Sequence, residues 1–161
     1  MDKVIKVGMA DLKTTKSPGI LITLGLGSCI GICLYDPVTK VSGMAHIMLP
    51  SSKSIKNNKN IYKFADTGIE KLINEMVAIG AVKRRMISKI AGGAQMFSFS
   101  SKNDIMKIGE RNAIAVKKIL KEFNIPIKAE DTGGNYGRTI EFHSLNGKLL
   151  VKTIGHGVRE I

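Results

Sequence analysis

Residues 29–49 read Cys-Ile-Gly-Ile-Cys-Leu-Tyr-Asp-Pro-Val-Thr-Lys-Val-Ser-Gly-Met-Ala-His-Ile-Met-Leu, and their pattern decides the fold class. Two apolar, β-branched-rich runs, 29–36 and 41–49, flank the turn Asp36-Pro37-Val38-Thr39-Lys40. Asp suits the first position of such a turn, and Pro presets φ at the second, so the stretch predicts an antiparallel hairpin. If Asp36 pairs with Val41, Gly31 falls opposite His46 and Cys29 opposite Met48. His46 then shares a face with Cys29 one diagonal step away, at about 7 Å or less between Cβ atoms. Gly31 presents no side chain to keep the imidazole from leaning toward a neighbouring thiol. A slip of one residue in register would put the two on opposite faces.

Reading outward, residues 3–12 form one extended segment, and Ile20 to Leu24 a strand that ends in the loop Gly25-Leu26-Gly27-Ser28. Pro50 stops the second hairpin strand, and the Ser-, Lys- and Asn-rich stretch 51–60 reads as a mobile surface loop. From 61 to 79 the apolar period becomes helical, with Ala65, Ile69, Leu72, Ile73 and Met76 on one stripe. A short strand over 86–91 leads to Gly92-Gly93, a second helix runs from about 109 to 123 with Ala113, Val116, Ile119, Leu120 and Phe123 inward, and 125–130 is another strand. Residues 138–145 and 148–154 pair through Asn146-Gly147, a favoured type I′ turn. The expected architecture is α/β of the α+β type: a single-domain layered sandwich over residues 1–161, with a mostly antiparallel mixed β-sheet and two main helices.

Composition excludes several classes. The chain has 161 residues, 43% hydrophobic and 24% charged, enough for a buried core. No apolar run approaches the roughly 20 residues needed to span a bilayer, and charges within the first twelve residues interrupt any signal-peptide core. A cytoplasmic protein with no direct membrane insertion is expected. A net charge of +12 reads first as a solvated basic surface and second as a face that attracts an acidic protein partner. Nucleic acid is not expected, because the basic residues are dispersed and aromatics make up only 5% of the chain.

Cys29 and Cys33 form neither a Cys-x-x-Cys motif nor half of a zinc cage, and no metal or organic cofactor is expected. The hairpin places both within a diagonal step of His46 and does not choose between them. The preceding loop does. Around Gly25, Gly27 and Ser28 a substrate carbonyl can approach the backbone, and free N–H groups there could bind an oxyanion. Cys33 sits mid-strand between Ile32 and Leu34, where burial is its expected fate. Cys29 is therefore the candidate nucleophile and His46 its general base and acid. His143 and His156 compete as bases, but neither has a local reason to approach Cys29. Thr23 could offer a hydroxyl to orient the imidazole, although a β-branched residue in a strand needs no such role.

Five segments carry a wider resemblance: Thr-Leu-Gly-Leu-Gly-Ser-Cys (23–29), Gly-Met-Ala-His-Ile-Met-Leu-Pro (43–50), Lys-Ile-Ala-Gly-Gly-Ala-Gln-Met-Phe (89–97), Ile-Gly-Glu-Arg-Asn (108–112) and Asp-Thr-Gly-Gly-Asn-Tyr-Gly-Arg (131–138). In this order they resemble the CheD family of chemoreceptor glutamine deamidases. The resemblance implies a Cys-His-Thr set mapping to Cys29, His46 and Thr23, and a catalytic core similar to that of the cytotoxic necrotizing factor toxins. It implies hydrolysis of glutamine side chains to glutamate on the helical cytoplasmic domains of methyl-accepting receptors, with receptor methylesterase as a possible side activity. It also implies association with a CheC-type phosphatase, so that a chiefly binding, regulatory role is the alternative function.

Overall fold

In chain order the strands and helices are β1 (Lys3–Lys6), β2 (Asp11–Thr15), β3 (Gly19–Leu26), β4 (Ile30–Tyr35), β5 (Ser42–Ile47), α1 (Ala65–Ala78), β6 (Ile87–Gly92), α2 (Ile108–Glu122), β7 (Ile127–Thr132), β8 (Arg138–His143), β9 (Lys148–Thr153) and β10 (Gly157–Glu160). The computed structural model describes residues 3–96 and 107–161. Phe97, the last residue of the third motif, lies outside them.

The strands divide between two five-stranded sheets, ordered β1-β3-β8-β9-β10 and β2-β5-β4-β6-β7. Pairing is antiparallel except for β1 with β3 and β6 with β7. The mixed, mostly antiparallel character is as expected, but one sheet has become two. Alternation along a strand marks which residues are buried without saying which sheet a strand joins. The N-terminal segment shows the same point. It is two strands in different sheets, with residues 7–10 crossing between them: the Val7 N–H donates to Ile22 O and the Ala10 N–H to His46 O.

The second sheet is the middle layer. Ile30, Ile32, Leu34, Ala45 and Ile47 face the helices, where they meet Ile69, Leu72 and Met76 of α1 and Val116 and Leu120 of α2. The opposite face of β4 and β5 meets Leu21, Leu26, Ile140 and Phe142 of the first sheet. Covered on both faces, β4 and β5 are buried at every position. Each fully buried Leu, Ile or Phe contributes about 1.5–3 kcal/mol of burial free energy. The α1 stripe read from the sequence is buried at all five positions.

The β4–β5 register is the expected one, with Asp36 N–H donating to Val41 O and Gly31 opposite His46. The space over Gly31 differs from expectation. A Cβ there would lie 2.6 Å from Ile140 Cδ1 and 3.1 Å from Leu26 Cδ1. The missing side chain admits the first sheet's side chains rather than leaving a gap for the imidazole.

The stretch 51–60 is not free throughout. Ser52–Ser54 form a 3₁₀ turn, and Ser52 donates both its N–H and its hydroxyl to the Asp66 carboxylate of α1. At the other end of the chain, β10 adds an antiparallel edge strand to β9, and His156 stacks on Tyr136 at 4.5 Å.

Asp36 holds more than its turn. Its carboxylate is fully buried and accepts from Arg85 Nη2 at 2.8 Å, from the Val82 N–H at 2.8 Å and from the Val38 N–H at 3.0 Å. Burial alone would raise its pKa, but the bonds from Arg85, Val82 and Val38 together outweigh it and hold the carboxyl well below the usual range. A depressed folded-state pKa gives stability that is present above the unfolded value of about 3.9 and lost as pH falls below it. Asp36→Ala is expected to cost about 2–3 kcal/mol, since Arg85 keeps partial access to water. Urea denaturation at pH 7 measures that loss, and the wild-type midpoint should fall toward the variant's between pH 4 and pH 3.

Candidate active site

Cys29 closes the loop between β3 and β4, while His46 lies near the end of β5. His46, with Met44, turns toward the first sheet because the alternate positions Ala45 and Ile47 serve the helix-side core. Thr23 sits in the first sheet opposite Ile140 and meets His46 across the interlayer space. Thr23 Oγ1 lies 2.8 Å from His46 Nδ1 and 2.7 Å from Val7 O.

These two distances fix the proton positions. A backbone carbonyl only accepts, so the Thr23 hydroxyl donates to Val7 O and its oxygen accepts from His46 Nδ1–H. Nε2 therefore carries the lone pair, and it is buried with no hydrogen-bond partner among the described residues. The β1–β2 crossing supplies Val7 O, and its Ala10 N–H also holds the His46 carbonyl. One chain segment thus orders both the hydroxyl and the strand bearing the imidazole.

Thr23, Cys29 and His46 are 1%, 8% and 1% exposed, so Cys29 is the one of the three with partial access to solvent. Burial pushes the Cys29 thiol up from its ordinary 9.0, against a smaller downward pull from its own backbone N–H. Burial pushes His46 down from 6.5. Both shifts favour the neutral form of each group. Cys33 lies opposite Met44, is fully buried, and has its thiol pushed far up by burial despite the nearby Lys89 cation.

The loop before Cys29 is shaped by a bulge. Register between β3 and β8 shifts between Thr23 and Leu26, and Gly25 takes φ +69°. Gly27 N–H donates to Gly25 O, so it is already engaged and does not stand free as an oxyanion donor. Gly27 O accepts from the Ala94 N–H, and Cys29 O from the Gly93 N–H, both at 2.8 Å. Among the described residues, the Ser28 N–H has no acceptor.

The loop after β6 that provides those donors depends on Gly92. This residue has φ +115°, and a Cβ on it would run into the Cys29 carbonyl. Gly92 O in turn accepts from the Gly133 N–H and from Arg138 Nη1, whose guanidinium is buried against Asp131. The glycines of the third and fifth motifs thus support the loop that carries Cys29 from behind.

His143 and His156 do not join the site. His143 shares the outer face of its sheet with Glu141, and His156 is exposed on Tyr136. Among the described residues, no group of three or more His, Cys, Asp or Glu side chains is placed to hold a metal ion. Nor is any helix among them long and apolar enough to cross a membrane.

Comparison with known proteins adds a second kind of observation. A family model described as CheD chemotactic sensory transduction matches residues 48–153. A protein of Caldanaerobacter subterraneus named "Probable chemoreceptor glutamine deamidase CheD" is 67% identical over 159 residues, covering 99% of this chain and 98% of its own. The chain belongs to the CheD family. A further CheD relative, "Chemoreceptor glutamine deamidase CheD" of Halalkalibacterium halodurans, is 53% identical and covers all of both chains. The family model begins after Thr23, Cys29 and His46, whereas these CheD relatives span them. Among solved structures, the Bacillus licheniformis hypothetical protein YfiH is similar at 14% identity and a TM-score of 0.45, over 81% of this chain and 59% of that one.

Proposed function

We propose that this CheD-family chain hydrolyses the side-chain amide of glutamine to glutamate on chemoreceptors, with Cys29 as nucleophile and His46 as base and acid. The observation that carries this reading is the relay Val7 O–Thr23–His46, which leaves the Nε2 lone pair buried and, among the described residues, unpartnered in the space between the sheets that Cys29 also borders. The substrate is taken from the names of its relatives.

The steps start from a neutral thiol and a neutral imidazole, the forms that burial favours. As Cys29 Sγ attacks the carboxamide carbon, its proton passes to His46 Nε2, and charge moves to the carbonyl oxygen. The Ser28 and Cys29 N–H groups face the developing oxyanion and stabilise it. On collapse the carbon–nitrogen bond breaks, Nε2–H protonates the nitrogen, and ammonia leaves a thioester. Nε2 then takes a proton from water, hydroxide adds to the thioester carbon, and the thiol departs with that proton to leave glutamate. Thr23 keeps Nδ1 protonated throughout, so the base remains at Nε2. The same steps would cleave a glutamyl methyl ester with methanol as the leaving group.

Ammonia release from a purified chemoreceptor cytoplasmic fragment tests the reading. The active form needs neutral His46, whose pKa lies below its ordinary 6.5, so the acid limb of the kcat profile should have its midpoint below pH 6.5. An acid midpoint at or above pH 7 would contradict the assignment of the buried imidazole. Association with a CheC-type phosphatase belongs to the same proposal, carried by the family resemblance. Calorimetry should give a Cys29→Ala variant the wild-type affinity for that phosphatase if binding and chemistry are separate.

A further inference from the structure

Asn112 is fully buried on the inner face of α2, yet its side chain is polar. Its Nδ2 donates to Ser28 O and to Met48 O, both at 2.9 Å. Ser28 precedes Cys29, and Met48 lies two residues beyond His46. One amide therefore ties together the two chain segments that carry the thiol and the imidazole.

The bond to Ser28 O does something more specific. A trans peptide is planar, with its C=O and N–H pointing in opposite directions. The Gly27–Ser28 peptide has its carbonyl fixed by the Ala94 N–H, so the Ser28 N–H is turned the other way. The Ser28–Cys29 peptide has its carbonyl fixed by Asn112, so the Cys29 N–H is turned away from α2. We infer that Asn112 is a positioning residue that aims the Cys29 N–H as an oxyanion donor, a role that rests on the deamidase reading above. Asn suits the position because its two amide hydrogens serve two carbonyls at once, which neither a hydroxyl nor a carboxylate can do. Among the described residues, Asn112 Oδ1 is buried without a partner, so both of the bonds this side chain makes run through its amide hydrogens.

An aimed donor matters when charge develops, not when substrate docks, so its loss should fall on kcat rather than KM. The test compares wild type, Cys29→Ala, Asn112→Ala and the same-sized Asn112→Asp, each checked for folding by circular dichroism. Ammonia release from the receptor fragment gives kcat and KM. Alkylation of Cys29 by iodoacetamide reports thiol reactivity in a displacement that forms no oxyanion. Expected for the folded Asn112 variants is a kcat lower by on the order of 10²-fold, with KM and the alkylation rate within about threefold of wild type. A folded variant that keeps kcat within about threefold would overturn the inference. So would kcat and alkylation falling together, or failure of both variants to fold, since each assigns Asn112 to general support of α2. If wild type released no more ammonia than Cys29→Ala, the deamidase reading itself would fail and the inference with it. Active wild type beside active Asn112 variants would sink the inference alone.

Discussion

Cys29→Ala is expected to lower ammonia release by on the order of 10⁴-fold or more, because no other group can form the thioester. Cys33 is the internal control. It lies on the same strand face, but it is fully buried and its thiol is pushed far up by burial. Cys33→Ala should keep kcat within about threefold while costing about 1 kcal/mol of stability for the small cavity left between the sheets. Steady-state kinetics on both variants checks the pair of outcomes. Equal losses in the two would mean that packing between the sheets, not the Cys29 thiol, limits the rate.

His46→Ala carries the second large effect. It removes the base for thiol attack, the acid for ammonia departure and the base for thioester hydrolysis. General acid–base catalysis contributes about 10² to 10⁴-fold, and kcat should fall by that factor with little change in KM. The loss should exceed that in Thr23→Val, which keeps the side-chain shape but deprives Nδ1–H and Val7 O of the hydroxyl they share. In Thr23→Val the imidazole can still act when its proton happens to sit on Nδ1, so a drop of about 10 to 10²-fold is expected. Determining kcat for the two variants at pH 7 gives the ranking. A Thr23→Val loss equal to that of His46→Ala would contradict the relay as drawn, since it would make the hydroxyl a reacting group.

Much of this was legible before any fold was known, for identifiable reasons. The turn at Asp36-Pro37 sets the β4–β5 register, with Gly31 opposite His46 as the turn arithmetic requires. Helical stripes of Leu and Ile read through because burial of large apolar groups overrides weaker local preferences. Long-range placement was less legible. Thr23 has an ordinary place in a strand, and its meeting with His46 depends on two sheets stacking face to face, which no local pattern states. The division of the N-terminal segment at residues 7–10 is hidden for the same reason, as is the engagement of the Gly27 N–H by Gly25 O, which depends on the bulge.

Two residues carried signals that were there to be found. Asn112 stands in line with Gly109, Val116 and Leu120, the residues α2 buries, so a polar amide on the apolar face was visible in the spacing. A polar residue in a helix ordinarily reads as solvated, and only the carbonyls of Ser28 and Met48 explain its burial. The missing side chain at Gly31 is plain in the sequence, but what occupies its place is set by the facing sheet. The space it leaves is filled by Ile140 and Leu26 from the facing sheet.

The central claim is that Cys29 converts receptor glutamine to glutamate. Peptide mass spectrometry of a chemoreceptor cytoplasmic fragment, incubated in parallel with wild type and with folded Cys29→Ala, tests it most directly. The account predicts that particular glutamines take on the mass of glutamate with wild type and remain amides with Cys29→Ala. Conversion of the same glutamines at the same rate by both proteins would contradict it.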